Sequence, residues 1–161
     1  MICLHVWQPS GVARPVILLL SGPNLNLLGD RDPEVYGTDS LLDHVTATRE
    51  RAHDQDFDLE HIQSNHEGDL IDAIHGARKR VAAIVINPGA LTHYSWALHD
   101  ALAAYEGPVV EVHLSDPKKR EPWRHLSVVE PVAISSVTGK GGAGYLEAVD
   151  IAINACTKND G

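Results

Sequence analysis

Tyr36 closes a polar stretch, SGPNLNLLGDRDPEVYG, that runs from residue 21 to residue 37 and carries Arg31. A lone loop arginine is ordinarily solvated, and a lone tyrosine is ordinarily half-buried packing. As a pair they could do chemistry, because a positive charge close to a phenol favours its ionised, basic form. Glu111 and His113 stand at i and i+2 in VVEVHLS, a spacing that sends both side chains to one side of a strand. A carboxylate beside an imidazole fixes its tautomer or holds it protonated, as a general acid requires. The flanking valines favour a central strand over the alternative, a solvated pair on an edge. Arg120 and Arg124 in DPKKREPWRHLS could grip a carboxylate bidentately, although their spacing alone reads more simply as an exposed basic loop. His93 follows a Pro-Gly turn where a helix N-terminus could receive an anion. Asn87 just before that turn, and Asn24 and Asn26 in the first loop, also suit turns and caps. Asp100 reads as part of a solvated helix face.

The elements that must position these residues alternate strongly. Continuous apolar runs at 16–21 (VILLLS), 82–87 (AAIVIN) and 109–115 (VVEVHLS) read as buried parallel strands, with weaker strands at 57–63 (FDLEHIQ) and in VAISSVTG. Between them TDSLLDHVTATRERAHDQ, GDLIDAIHGARKR, SWALHDALAAYEG and AGYLEAVDIAINAC carry helical spacing, the first with Thr38 or Asp39 as N-cap and the third ended by Gly107 and Pro108. Strand and helix alternating five times predict an α/β, flavodoxin-like three-layer sandwich with a five-stranded parallel sheet. In such sheets ligands bind at the carboxyl ends of the strands, near the switch in strand order. Four stretches, SGPNLN, QSNHEG, NPGALTH and EVHLS, should therefore meet at one rim.

Composition bounds the remaining possibilities. The 161 residues suffice for one catalytic domain over 15–161, with residues 1–14 as a loose extension that makes a poor signal peptide. A net charge of -9 argues against nucleic acid or an anionic membrane as the main partner, while leaving room for a local basic pocket. Apolar runs are too short to span a bilayer. Cys3 and Cys156 lie near opposite ends, in no metal spacing, and read as reduced thiols of a cytoplasmic protein. Ten histidines show no recognised ligand pattern, so no metal is expected. GKGGAG at 139–144 matches G-x-G-x-x-G but follows the last strand, leaving no later strand to supply a ribose-binding acid; turn chemistry is the reading, and no cofactor is expected.

The residues thus reach acid–base chemistry on a small anion without naming the reaction. GPNLNLLGDRDPEVYG, QSNHEGDLID, INPGALTHYS, EVHLS and REPWRHLS, in this order, resemble the type II 3-dehydroquinate dehydratases over roughly residues 16–155. The resemblance implies anti elimination of water from 3-dehydroquinate through an enolate to give 3-dehydroshikimate in the shikimate pathway, without cofactor, metal or Schiff base. It also implies a homododecamer built from trimers. By the same resemblance Tyr36 is the base, Arg31 its partner, Asn24 the enolate stabiliser acting through a water, and His113 the acid oriented by Glu111. Asn87, His93, Leu114, Ser115 and Arg124 match substrate-binding positions. Asp100 matches one that serves a neighbouring subunit, and Arg120 a lid arginine that closes over Tyr36. Trp123 stands where the family commonly has Phe, Leu126 replaces a second histidine, and SVVEPVA departs from the usual pattern. Two other readings remain: the same reaction in quinate catabolism, and a non-catalytic flavodoxin-like module binding a small anion.

Overall fold

A computed structural model describes residues 13–158. Five parallel strands, β1 (Val16–Ser21), β2 (Asp58–Gln63), β3 (Ala83–Asn87), β4 (Val109–His113) and β5 (Ser135–Thr138), form one sheet in the order β2-β1-β3-β4-β5. This is the flavodoxin-like order, with its switch point between β1 and β3. A short helix α1 (Pro33–Tyr36) follows β1, and the main helices are α2 (Leu41–His53), α3 (Glu67–Ala77), α4 (Trp96–Ala103) and α5 (Gly142–Lys158).

The two faces of the sheet bury separate sets of side chains because successive strand residues point to opposite sides. Ile17 and Leu19 of β1 pack with Val45 and Ala52 of α2 and with Ala148, Val149 and Ala152 of α5. Leu18 and Leu20 pack instead with Leu70 and Ile74 of α3 and Leu98 and Leu102 of α4. Each central strand is therefore apolar at nearly every position, which is why its sequence reads as a continuous run. No described helix is long and apolar enough to cross a membrane.

Several boundaries differ from expectation for identifiable reasons. Ser40, rather than Thr38 or Asp39, caps α2: its hydroxyl accepts from the Asp43 amide while Asp43 accepts from the Ser40 amide, a reciprocal box. Helix α4 ends at Ala103, short of Gly107. The chain peels away so that buried Tyr105 can donate its hydroxyl to the Val81 carbonyl at 2.9 Å, and a side chain at 107 would strike that ring. Strand β4 stops at His113, where its pairing to β5 ends; the Leu114 and Ser115 carbonyls instead accept from Gly141 and Gly139. GKGGAG thus ties the end of β4 to the start of α5. Cys156 contacts the Ala82 carbonyl at 3.5 Å. Cys3 and all but residues 13 and 14 of the 1–14 extension lie outside the described residues.

Candidate active site

Two loops meet at the switch point because glycine lets them. Gly22 follows β1 and donates to the Asn87 carbonyl at 2.8 Å; a Cβ there would lie 2.4 Å from the Pro88 carbonyl oxygen. Gly89 adopts φ +57, conformational space that favours glycine. Asn24 sits at φ 67, so the turn reading of that asparagine holds, and it also borders the cavity. Its amide donates to Asn65 Oδ1 at 2.9 Å. QSNHEG therefore buttresses the first loop, with Gln63 also reaching the Gly22 carbonyl, and lends no residue to the cavity wall. Three strand-end loops and the 116–127 stretch line the cavity, where the sequence pointed to four strand-end loops.

That cavity of about 140 Å³ is roughly ten times what one water needs. Asn24, Arg31, Tyr36, Asn87, His93, His113, Leu114, Ser115, Arg120 and Arg124 all line it. Asp100 does not: it lies on the exposed face of α4, outside the cavity of its own chain.

On one side of the cavity the Tyr36 hydroxyl accepts from Arg31 Nη2 at 3.2 Å and Arg120 Nη1 at 2.9 Å. Both guanidinium groups also lie over the ring, at 4.7 and 5.6 Å from its centroid. Arg120 reaches it from the polar stretch after β4, which forms two short 3-10 turns, Pro117–Lys119 and Pro122–Arg124. Donors and positive charge converge on one phenolic oxygen, which suits that oxygen to carry negative charge.

On the other side Glu111 and His113 project from β4 together, Nε2 to Oε1 at 2.8 Å, with Glu111 fully buried. Burial resists ionisation of Glu111, but the His113 bond and charge, with the Thr92 and Ser127 hydroxyls, outweigh it and hold the carboxyl below the usual range. The strand between β3 and β5 is central, as the valines implied. His93 Nδ1 faces the Leu126 carbonyl at 2.7 Å, so it donates there and leaves Nε2 as an acceptor. Burial, then the neighbouring His113 and Arg124, lower the His93 pKa, while the Leu126 bond and Glu111 oppose this. Arg124 stacks on Trp123 at 4.0 Å and binds Glu121 at 2.7 Å.

The amide of Asn87 is also fixed. It donates to Tyr145 at 2.9 Å and accepts from the Gly89 amide at 3.2 Å. Tyr145, missed by sequence reasoning, is fully buried, and burial pushes its phenol up to about 12. Thr92, Ser127 and Ser136, all on Glu111, were missed too; single hydroxyls on separate elements leave no spacing signal. Among the described residues no three His, Cys, Asp or Glu side chains gather in a way that could hold a metal ion.

Residues 15–153 match the family described as dehydroquinase class II. A 3-dehydroquinate dehydratase of Bacillus licheniformis is 52% identical over 144 residues, covering 89% of this chain and 99% of that protein. The 3-dehydroquinate dehydratase 2 of Pseudomonas putida is 53% identical over 136 residues, 84% of this chain and 91% of the relative. The crystal structure of type II dehydroquinase from Butyrivibrio crossotus superposes with a TM-score of 0.84 at 43% identity, covering 88% of this chain and 98% of that one.

Proposed function

The chain belongs to the class II dehydroquinase family, and from that premise we propose that Tyr36 is the base and His113 the acid of its elimination. The protein is a 3-dehydroquinate dehydratase, a hydro-lyase whose general role lies in the shikimate pathway. The division of labour rests chiefly on one observation: a tyrosine oxygen held by two arginines faces, across one cavity, a histidine held by a buried glutamate.

The Tyr36 oxygen takes the proton beside the ketone, and the freed electron pair moves onto the carbonyl oxygen as an enolate. Arg31 and Arg120 compensate the charge on Tyr36 before the transfer. Asn24, at the cavity edge, stabilises the enolate, where a placed donor acts most effectively. The enolate then collapses, the C–O bond breaks, and His113 gives its proton to the departing hydroxyl, which leaves as water. Glu111 orients His113 and balances its charge. Asn87, Leu114, Ser115 and Arg124 hold the substrate's polar groups, and the His93 Nε2 acceptor takes a substrate hydroxyl. Arg120, already on Tyr36, closes the cavity from the lid stretch and excludes water.

Asp100 serves the cavity of a neighbouring copy within a homododecamer of trimers. Its support is the exposure of Asp100 on α4, one turn after Trp96, which is 59% exposed. Light scattering checks it: a dodecamer is expected, and a monomer with full activity contradicts it.

The reaction is read by ultraviolet absorbance of the conjugated enone product when chelator-treated protein meets 3-dehydroquinate. A steady rise, unaffected by borohydride and abolished in Tyr36→Phe, is expected. Full activity in Tyr36→Phe removes the tyrosine from the base role.

A further inference from the structure

Glu111 is held by more than His113. Its Oε1 also accepts from Thr92 Oγ1 at 2.5 Å, and its Oε2 lies 3.0 Å from Ser127 Oγ and 3.3 Å from Ser136 Oγ. Ser127 Oγ is 3.1 Å from Oε1 as well and 2.8 Å from the Thr92 hydroxyl. In turn Ser127 Oγ accepts from the amides of Val129 at 3.1 Å and Glu130 at 2.9 Å. A hydroxyl has one proton and two lone pairs. With both lone pairs taken by the amides, the Ser127 proton is left for the carboxylate. The Thr92 proton goes to Oε1. The carboxylate is therefore locked about its own axis, with Oε1 turned to His113.

Ser127 also closes the stretch that bears Arg120 and Arg124. Its neighbours are stitched to the turn after β3: the Leu126 carbonyl accepts from His93, and the Val128 amide donates to the Thr92 carbonyl at 2.7 Å. Three consecutive residues thus join the lid stretch to Thr92, His93 and Glu111.

We propose that Ser127, with Thr92, is the positioning device of the acid half: it fixes the Glu111 carboxylate that orients His113, so that seating the lid stretch and readying the acid are one event. This rests on His113 being the acid. A group acting through the acid affects loss of the hydroxyl and leaves proton removal by Tyr36 alone. A group that only caps the 130–132 turn affects both steps together, or neither.

The test follows exchange of the substrate's α-hydrogen for solvent deuterium by NMR alongside product absorbance. Ser127→Ala and Thr92→Val should each slow dehydration about tenfold, with KM changed less than about twofold, because neither side chain is given a contact with bound substrate and what weakens is the support of the acid as the hydroxyl departs. The ratio of exchange to dehydration should rise in both, and most of all in His113→Ala; Ser127→Thr should restore it. Thr92→Val leaves both amide bonds to Ser127 in place, so it separates orientation of the carboxylate from turn capping. Equal loss of exchange and dehydration in variants with unchanged circular dichroism, or a rise in KM alone, overturns the role of Ser127. An unchanged ratio in His113→Ala removes the acid assignment itself, and the inference with it.

Discussion

The two sides of the cavity are built differently. The acid side stands on a central strand: Glu111 is fully buried, its bonds to Thr92 and His113 are short at 2.5 and 2.8 Å, and its further partners come from β5 and residue 127. The base side stands on a four-residue helix in an exposed loop, and Tyr36 takes its second arginine from 84 residues away. A packed sheet pre-organises the first, since a dense interior holds its side chains in place. The second is complete only when the 116–127 stretch lies over it. On the proposed roles, the His113–Glu111 pair is set by folding, whereas the base, like the hold of Ser127 on Glu111, is completed by closure of that stretch.

Removing each half should break this asymmetry in its own way. Tyr36→Phe keeps the ring and the arginines but loses the accepting oxygen; kcat should fall about 10³-fold, within the range for loss of a general base, with substrate affinity by calorimetry largely kept. Glu111→Gln removes the negative charge beside His113, and kcat should fall about 10²-fold. The same carboxyl is held below its ordinary value of 4.5, so its contribution to stability is present above that pH and fades as pH falls through the lowered value. In Glu111→Gln, thermal melts should therefore lose part of their dependence on pH in that acid range. Arg120→Ala strips one donor from Tyr36 and opens the cavity; kcat/KM should drop about tenfold or more, about 1.4 kcal/mol per decade, measured by progress curves.

The smallest effect concerns a group outside both halves. His44 is buried, stacks on Tyr145 at 5.4 Å, and its Nε2 has no hydrogen-bond partner among the described residues. Burial lowers its pKa from 6.5, against the opposing pull of Asp39 and Asp43. Below pH 6.5 the unfolded chain binds a proton that the native chain does not, so stability is lost there as pH falls. His44→Leu should raise stability by about 1 kcal/mol, the cost of a buried unpaired polar group, and flatten the melting temperature against pH below 6.5.

The asymmetry also governed what the sequence disclosed. β1, β3 and β4 were legible because burial on both faces forces continuous apolar runs, and Glu111 with His113 was legible because i and i+2 share a side. Arg31 and Tyr36 alone left packing and function open; the observed contact of Arg120 with Tyr36 depends on a loop path that periodicity does not encode. Asn65 gave no sign that it braces Asn24, since both look alike as turn residues. Ser127 and Thr92 matter through where their protons point, and Ser40 was passed over because two other capping residues stand beside it.

Comparing Tyr36→Phe with His113→Ala in deuterated buffer, with 3-dehydroquinate followed by NMR, separates the two roles most directly. His113→Ala is expected still to exchange the α-hydrogen while forming almost no enone, and Tyr36→Phe to do neither. Exchange that persists in Tyr36→Phe, or is abolished equally in both, contradicts a base and an acid acting from opposite sides of the cavity.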